Sequence, residues 1–265
     1  MKKYFKIILF FLTSIIIFIV IGATTVAGVK NIIKEIRISN FKNKCNKLSE
    51  DETSSIDNIN KLNGKTIFYR YEFNEGKKAF SINNYGEILP GDCGDILVST
   101  DVSMAGPMIN GFVSFYAGGH AAFITGKYED HDIALDGTNE TIEASGMRSD
   151  ENPCIIGDIS YWNDEDEPFS EVIGLRVKCS DEERKIALSY AASILGDLYN
   201  YSFLFNTVDK SYCSDLISKA YNRVGYNLNK DGLATTIYDL IASQDCYIFY
   251  YHKYIDGIKH VYYME

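Results

Sequence analysis

Apolar and polar positions change their spacing three times along the chain. Ile7 to Gly28 is an uncharged run of 22 residues, rich in Phe10, Phe11, Ile15, Ile16, Ile17, Ile19 and Ile21. About 20 such residues span a bilayer as a helix, and Lys2, Lys3 and Lys6 precede them. A helix-like stretch, Val29 to Ile38, continues past the run. Residues 48–64 are polar and acidic and read as a linker or short peripheral helix. From Lys65 the pattern is that of a packed domain.

In that domain, Thr66 to Phe73 alternates aromatic and β-branched residues, and Gly91 to Thr100 is a turn feeding a second strand. His120 to Thr125, Ile133 to Leu135, Thr141 to Ala144 and Val172 to Lys178 read as further strands. Ser180 with Glu183 three residues on forms a capping-box signature for a helix from Asp181 to Leu195. A second helix is expected from about Ser211 to Val224, stopped by Gly225. A short helix near Thr236 to Ser243 and an aromatic strand, Tyr247 to Tyr251, close the chain. Strands followed by helices give an α+β class with a small, mostly antiparallel sheet packed against helices. The expected division is an N-terminal anchor or signal segment at 1–28, a basic stalk and acidic linker at 29–64, and a domain at 65–265.

Composition supports a globular chain: 265 residues, 46% hydrophobic and 23% charged. The net charge of -10 conceals an asymmetry, for residues 1–47 hold nine Lys/Arg and one acid, leaving the rest at -18. So acidic a domain repels phosphate backbones and carries no basic stripe, which argues against nucleic-acid partners. The apolar run exceeds a signal-peptide core of roughly 7–15 residues, favouring a retained transmembrane helix, although Thr25 and Ala27 are small enough for cleavage and secretion. Lys30, Lys34, Arg37, Lys42, Lys44 and Lys47 compete with the basic N-terminus, so charge alone leaves orientation open. An extracytoplasmic domain is the expected arrangement. Six cysteines fit either compartment in a chain long enough to build its own core.

Three residues carry candidate chemistry. Cys213 stands at an expected helix start, where backbone N–H groups and the helix dipole favour a thiolate. His120 opens a strand behind Ala117-Gly118-Gly119, and imidazole is the natural base for a thiol. Glu143 lies between apolar neighbours, where an inward carboxylate needs a partner and an outward one needs none. No His/Cys/Asp/Glu group has metal-ligand spacing, no glycine-rich loop leads into a phosphate-binding helix, and Asp164 to Glu167 reads as an acidic surface loop. No cofactor is implied.

In chain order, Gly94-Asp-Ile-Leu, Gly119-His-Ala-Ala-Phe-Ile with Thr141-Ile-Glu-Ala, and Tyr212-Cys-Ser-Asp-Leu-Ile-Ser-Lys-Ala-Tyr resemble the circularly permuted branch of NlpC-like papain-fold cysteine hydrolases. This is the YiiX/YycO-like group, related to the lecithin:retinol acyltransferase-like proteins. Gly196-Asp-Leu-Tyr-Asn-Tyr also resembles that group's segment between its two helices, and the similarity covers roughly residues 90–245. It implies a permuted papain-like fold with Cys213 as nucleophile, His120 as general base and Glu143 as orienting third residue, with Asp95 structural. Ala121-Ala122 replaces the family's more usual Val-Gly, and the stretch from His120 to Glu143 is longer than its compact hairpin, which keeps Asp136 and His131 as alternatives for the third role. The implied activity is an amidase or peptidase on cell-wall peptide (peptidoglycan). Acyl or lipid chemistry, with Phe112, Phe115, Tyr116, Phe203 and Phe205 as candidate pocket residues, and a catalytically silent binding domain are the alternatives.

Overall fold

The computed structural model describes residues 2–60, 66–72, 80–82, 88–101, 106–126, 128–129, 132–133, 140–145, 154–162, 169–203 and 209–265. A nine-stranded sheet organises the chain. Its strands are β1 (Asn46–Lys47), β2 (Thr66–Tyr71), β3 (Ile96–Ser99), β4 (His120–Thr125), β5 (Glu140–Ala144), β6 (Cys154–Asp158), β7 (Glu171–Val177), β8 (Cys246–Ile255) and β9 (Ile258–Met264). They lie in the order β1-β2-β9-β8-β7-β3-β4-β5-β6. Every neighbouring pair is antiparallel except β9 with β2. The class is α+β, and the sheet is large and mixed where a small one was expected.

The difference comes chiefly from the C-terminus. Asp256 and Gly257 both take positive φ (51° and 77°) in a two-residue loop between Ile255 and Ile258. This is the backbone that an Asp-Gly pair supplies readily and that matches strand twist. The turn returns the chain along β9, which runs parallel to β2 and buries Val261, Tyr262, Tyr263 and Met264. β6 and the 3-10 turn Ile159–Trp162 behind it were likewise not legible as elements.

Among the described residues, six helices accompany the sheet: α1 (Lys2–Lys42), α2 (Glu50–Asn60), α3 (Gly106–Tyr116), α4 (Asp181–Ser193), α5 (Cys213–Asn222) and α6 (Ile237–Ala242). α4 begins with the expected capping box of Ser180 and Glu183, and a second box, Thr236 with Asp239, starts α6. α5 buries Leu216, Ile217, Ala220 and Tyr221 at helical spacing. The Tyr221 hydroxyl donates to the Gly94 carbonyl at 2.5 Å, fixing the body of α5 to the turn ahead of β3. In that turn Asp95 accepts from the Asp92 N–H at 2.8 Å and holds Arg176 of β7 through Nε (2.8 Å) and Nη2 (2.5 Å). Both charged side chains are buried, so each is the other's principal compensation.

α1 is one continuous helix of 41 residues, apolar and long enough to cross a membrane. Its C-terminal part is packed on the domain through Thr24, Ala27, Asn31, Lys34, Ile38 and Phe41, a stripe with alternating spacings of three and four. Lys30 pairs with Asp231 and Asp239, both at 2.6 Å, and Lys34 reaches Glu171 at 3.4 Å. Arg37 donates to the carbonyls of Ile241, Ser243 and Cys246, each at 2.5 Å, closing the C-terminal end of α6. The basic segment read in the sequence as a stalk is thus the helical edge of the folded domain.

Candidate functional site

The register of β4 against β5 pairs Phe123 with Ile142 and Ile124 with Thr141. Side chains alternate along a strand, so His120 and Glu143 fall on the same face as diagonal neighbours. His120 Nε2 meets Glu143 Oε2 at 2.8 Å. Glu143 is fully buried, and its other oxygen accepts from Thr141 Oγ1 (2.6 Å) and the Trp162 indole N–H (3.1 Å). Of the two orientations open to Glu143 in the sequence, the inward one is adopted.

Trp162 does a second job. Its ring stacks on His120 with centroids 5.6 Å apart and planes 16° from parallel. The imidazole is therefore held at Nε2 and across one face, which leaves Nδ1 as the nitrogen directed to the thiol. Across the strand, Gly157 pairs with Thr141, and a Cβ there would lie 2.6 Å from Glu143 Oε1 and 2.7 Å from Thr141 Oγ1. Only a residue without a side chain leaves the carboxylate in place. Gly157→Ala is expected to displace Glu143 and to shift the titration of Cys213 upward, read by alkylation rate against pH, with far-UV circular dichroism unchanged.

Cys213 is the first residue of α5, preceded by the N-cap Tyr212, which makes no side-chain cap. Burial alone pushes the thiol up, but a hydrogen bond and the charge of His120, with the backbone N–H groups of Ala121 and Ser214, bring it below its ordinary value. Burial likewise disfavours the charged imidazole, and the bonds to Cys213 and Glu143 outweigh it, raising His120 to about 10. The two shifts oppose one another as in a thiolate–imidazolium pair. Cys45, Cys154 and Cys246 go the other way, each pushed up to about 12 by burial, and burial also raises Cys179. All six cysteines are free thiols.

The helix start is anchored from outside. Ser214 Oγ donates to the Thr235 carbonyl at 2.9 Å, tying α5 to the segment entering α6. The Ile237 N–H donates to the Ala117 carbonyl at 3.3 Å, tying that segment to the turn before His120. Phe203, in the left-handed region at φ 53°, packs on Tyr212 and Tyr199 beside the thiol. Tyr116 lies instead against α1, where its Oη is 2.6 Å from Thr24 Oγ1, and the exposed Phe115 meets α1 through its carbonyl, which accepts from Asn31 Nδ2 at 3.0 Å. Phe205, the Phe112 side chain, Asp136, His131 and Asp164 to Glu167 lie outside the described residues.

Trp162, Gly157 and Thr141 escaped the sequence reading because none has chemistry of its own. The one available signal was that Trp162 is the sole tryptophan of the chain. Among the described residues, no group of three or more His, Cys, Asp and Glu side chains forms a candidate metal site.

No protein-family model matches the chain. No curated protein matches it either. Among solved structures, the fold is similar to the crystal structure of metalloprotein YiiX from Escherichia coli O157:H7, with a TM-score of 0.43 and 15% identity, covering 59% of this chain and 94% of that one.

Proposed function

We propose that this protein is a membrane-anchored cysteine hydrolase of the permuted NlpC-like kind, with Cys213 as nucleophile, His120 as acid–base and Glu143 as the residue that orients the imidazole. The observation carrying the proposal is the hydrogen bond between Cys213 and His120, residues 93 positions apart, with titration shifts of opposite sign. Structural cysteines are buried and inert, whereas a thiol held at a helix start against a cation is reactive.

In the proposed cycle the Cys213 thiolate attacks the carbonyl carbon of an amide or ester. The Cys213 N–H, in the first turn of α5 where backbone donors lack helical acceptors, serves the developing oxyanion. His120 gives its proton to the leaving amine or alcohol as the C–N or C–O bond breaks and an acyl-enzyme forms. Water then attacks the thioester, His120 takes its proton, and departure of the thiolate restores the ion pair. Cell-wall peptide is the proposed substrate, with α1 in the membrane and the domain on its outer side.

Site-resolved alkylation of all six cysteines with iodoacetamide against pH, on the full chain in detergent, tests this reading. Protonation removes the nucleophile, so the rate at Cys213 falls only as pH drops through a depressed midpoint, below the usual thiol value of about 8.5. Cys45, Cys154, Cys179 and Cys246 are expected to react only at higher pH. A Cys213 that titrates with them overturns the hydrolase.

A further inference from the structure

We propose that the exposed face of α3, with Met108 and Phe115, lies in the interfacial layer of the same membrane that α1 enters, so that the Cys213–His120 pair sits at the bilayer surface. The inference rests on the reading of α1 as a membrane anchor and adds a second membrane contact, made by the domain.

The composition of α3 is the first observation. Residues 102–119 carry no charged side chain, in a chain that is 23% charged. Met108 is 88% exposed and Phe115 37% exposed, with Gly111 also exposed. Positions 108, 111 and 115 fall on one side of a helix. A solvated surface helix would carry charge there.

The second observation is where that helix sits. The apolar run of α1 ends at Gly28, and Thr24 lies four residues, about 6 Å of helix, inside it. The Tyr116 hydroxyl is 2.6 Å from Thr24 Oγ1, and Asn31 Nδ2 donates to the Phe115 carbonyl at 3.0 Å. The end of α3 therefore straddles the end of the apolar run, with Tyr116 beside Thr24 and the Phe115 carbonyl beside Asn31. On α1 itself, the exposed Val29, Ile32 and Ile36 carry apolar surface past Gly28 on the side away from the domain. Leu233, 61% exposed, is two residues from Asp231, the partner of Lys30. These apolar side chains stand exposed on α1 past the run and on the segments that Thr24, Lys30 and Asn31 hold, and a lipid surface is the occupant continuous with the span.

Two short paths connect this level to the site. Tyr116 and His120 are four residues apart, at most about 14 Å of chain. Asp231 and Thr235 are also four apart, and Thr235 accepts from Ser214 beside the nucleophile. The pair is accordingly built into the membrane-facing end of the domain.

Tryptophan fluorescence of the full chain in phosphatidylcholine nanodiscs, with and without bromine on the acyl chains, is the test. The single native Trp162 is buried and gives the baseline. An interfacial helix face reaches about 5–10 Å into the headgroup and acyl boundary, so Met108→Trp should lose about twofold in emission over brominated lipid. Phe18→Trp, within the span, should also be quenched, whereas Ile186→Trp on α4 should not. Quenching at Phe18→Trp without quenching at Met108→Trp overturns the docking of α3 and leaves the anchor standing. Absence of quenching at Phe18→Trp overturns the anchor and the docking with it.

Discussion

Replacing His120 by Ala is expected to raise the pH midpoint for alkylation of Cys213 and to leave about 3% or less of it as thiolate at pH 7. A thiol at the ordinary value of about 8.5 is only about 3% thiolate at that pH. Without the imidazole, burial becomes the dominant influence on Cys213 and pushes it higher still. The sign is fixed by the cause. A thiol whose lowering comes from a cation loses it when the cation is removed, and the midpoint must rise. The plateau rate at high pH should increase, because a more basic thiolate is intrinsically the better nucleophile. A full pH profile followed by mass spectrometry separates the two effects. An unchanged midpoint would mean that the helix start alone lowers the thiol and that His120 has no part in it.

The second large effect is on stability. Arg176→Met should cost about 3–5 kcal/mol, since removing one partner of a buried pair strands the other charge. Asp95 would then keep the Asp92 N–H but lose both guanidinium bonds inside the core. The double change Asp95→Asn with Arg176→Met should recover part of the loss, because neither position then carries an unpaired charge. Urea unfolding in detergent measures both. The turn that contains Asp95 also holds α5 through Gly94 and Tyr221. Loss of the pair should therefore loosen Cys213 before the sheet unfolds, visible as the midpoint of Cys213 alkylation moving up toward the ordinary thiol value.

Local patterns carried a good part of the fold. The capping box at Ser180 and Glu183, the apolar spacing of α5 and the stop at Gly225 are short-range signals, and they place α4 and α5 within a few residues of their observed ends. The strand holding Glu143 was legible for the same reason. α3 was not, because residues 102–119 are uncharged and glycine-containing and offer no charged face to set against an apolar one. The Asp256-Gly257 hairpin did carry a recognisable turn signal, which went unread beside the aromatic run before it. Gly157 and Trp162 belong to a different class. Their importance lies in what stands opposite, Glu143 and His120, and no periodicity along the chain records a contact across the sheet. The docking of Lys30, Lys34 and Arg37 is hidden likewise, since basic residues after an apolar run look the same whether solvated or bonded to acids and carbonyls far along the chain.

That docking sets how far the site can travel. A flexible stalk over residues 29–64 would let the domain wander over about 33 Å from its tether, the coil dimension of 36 residues. A helix clamped at Lys30, Lys34 and Arg37 removes this radius altogether. On the proposed reading, the protein works as a fixture with a set height, and a substrate would come to that layer by its own diffusion.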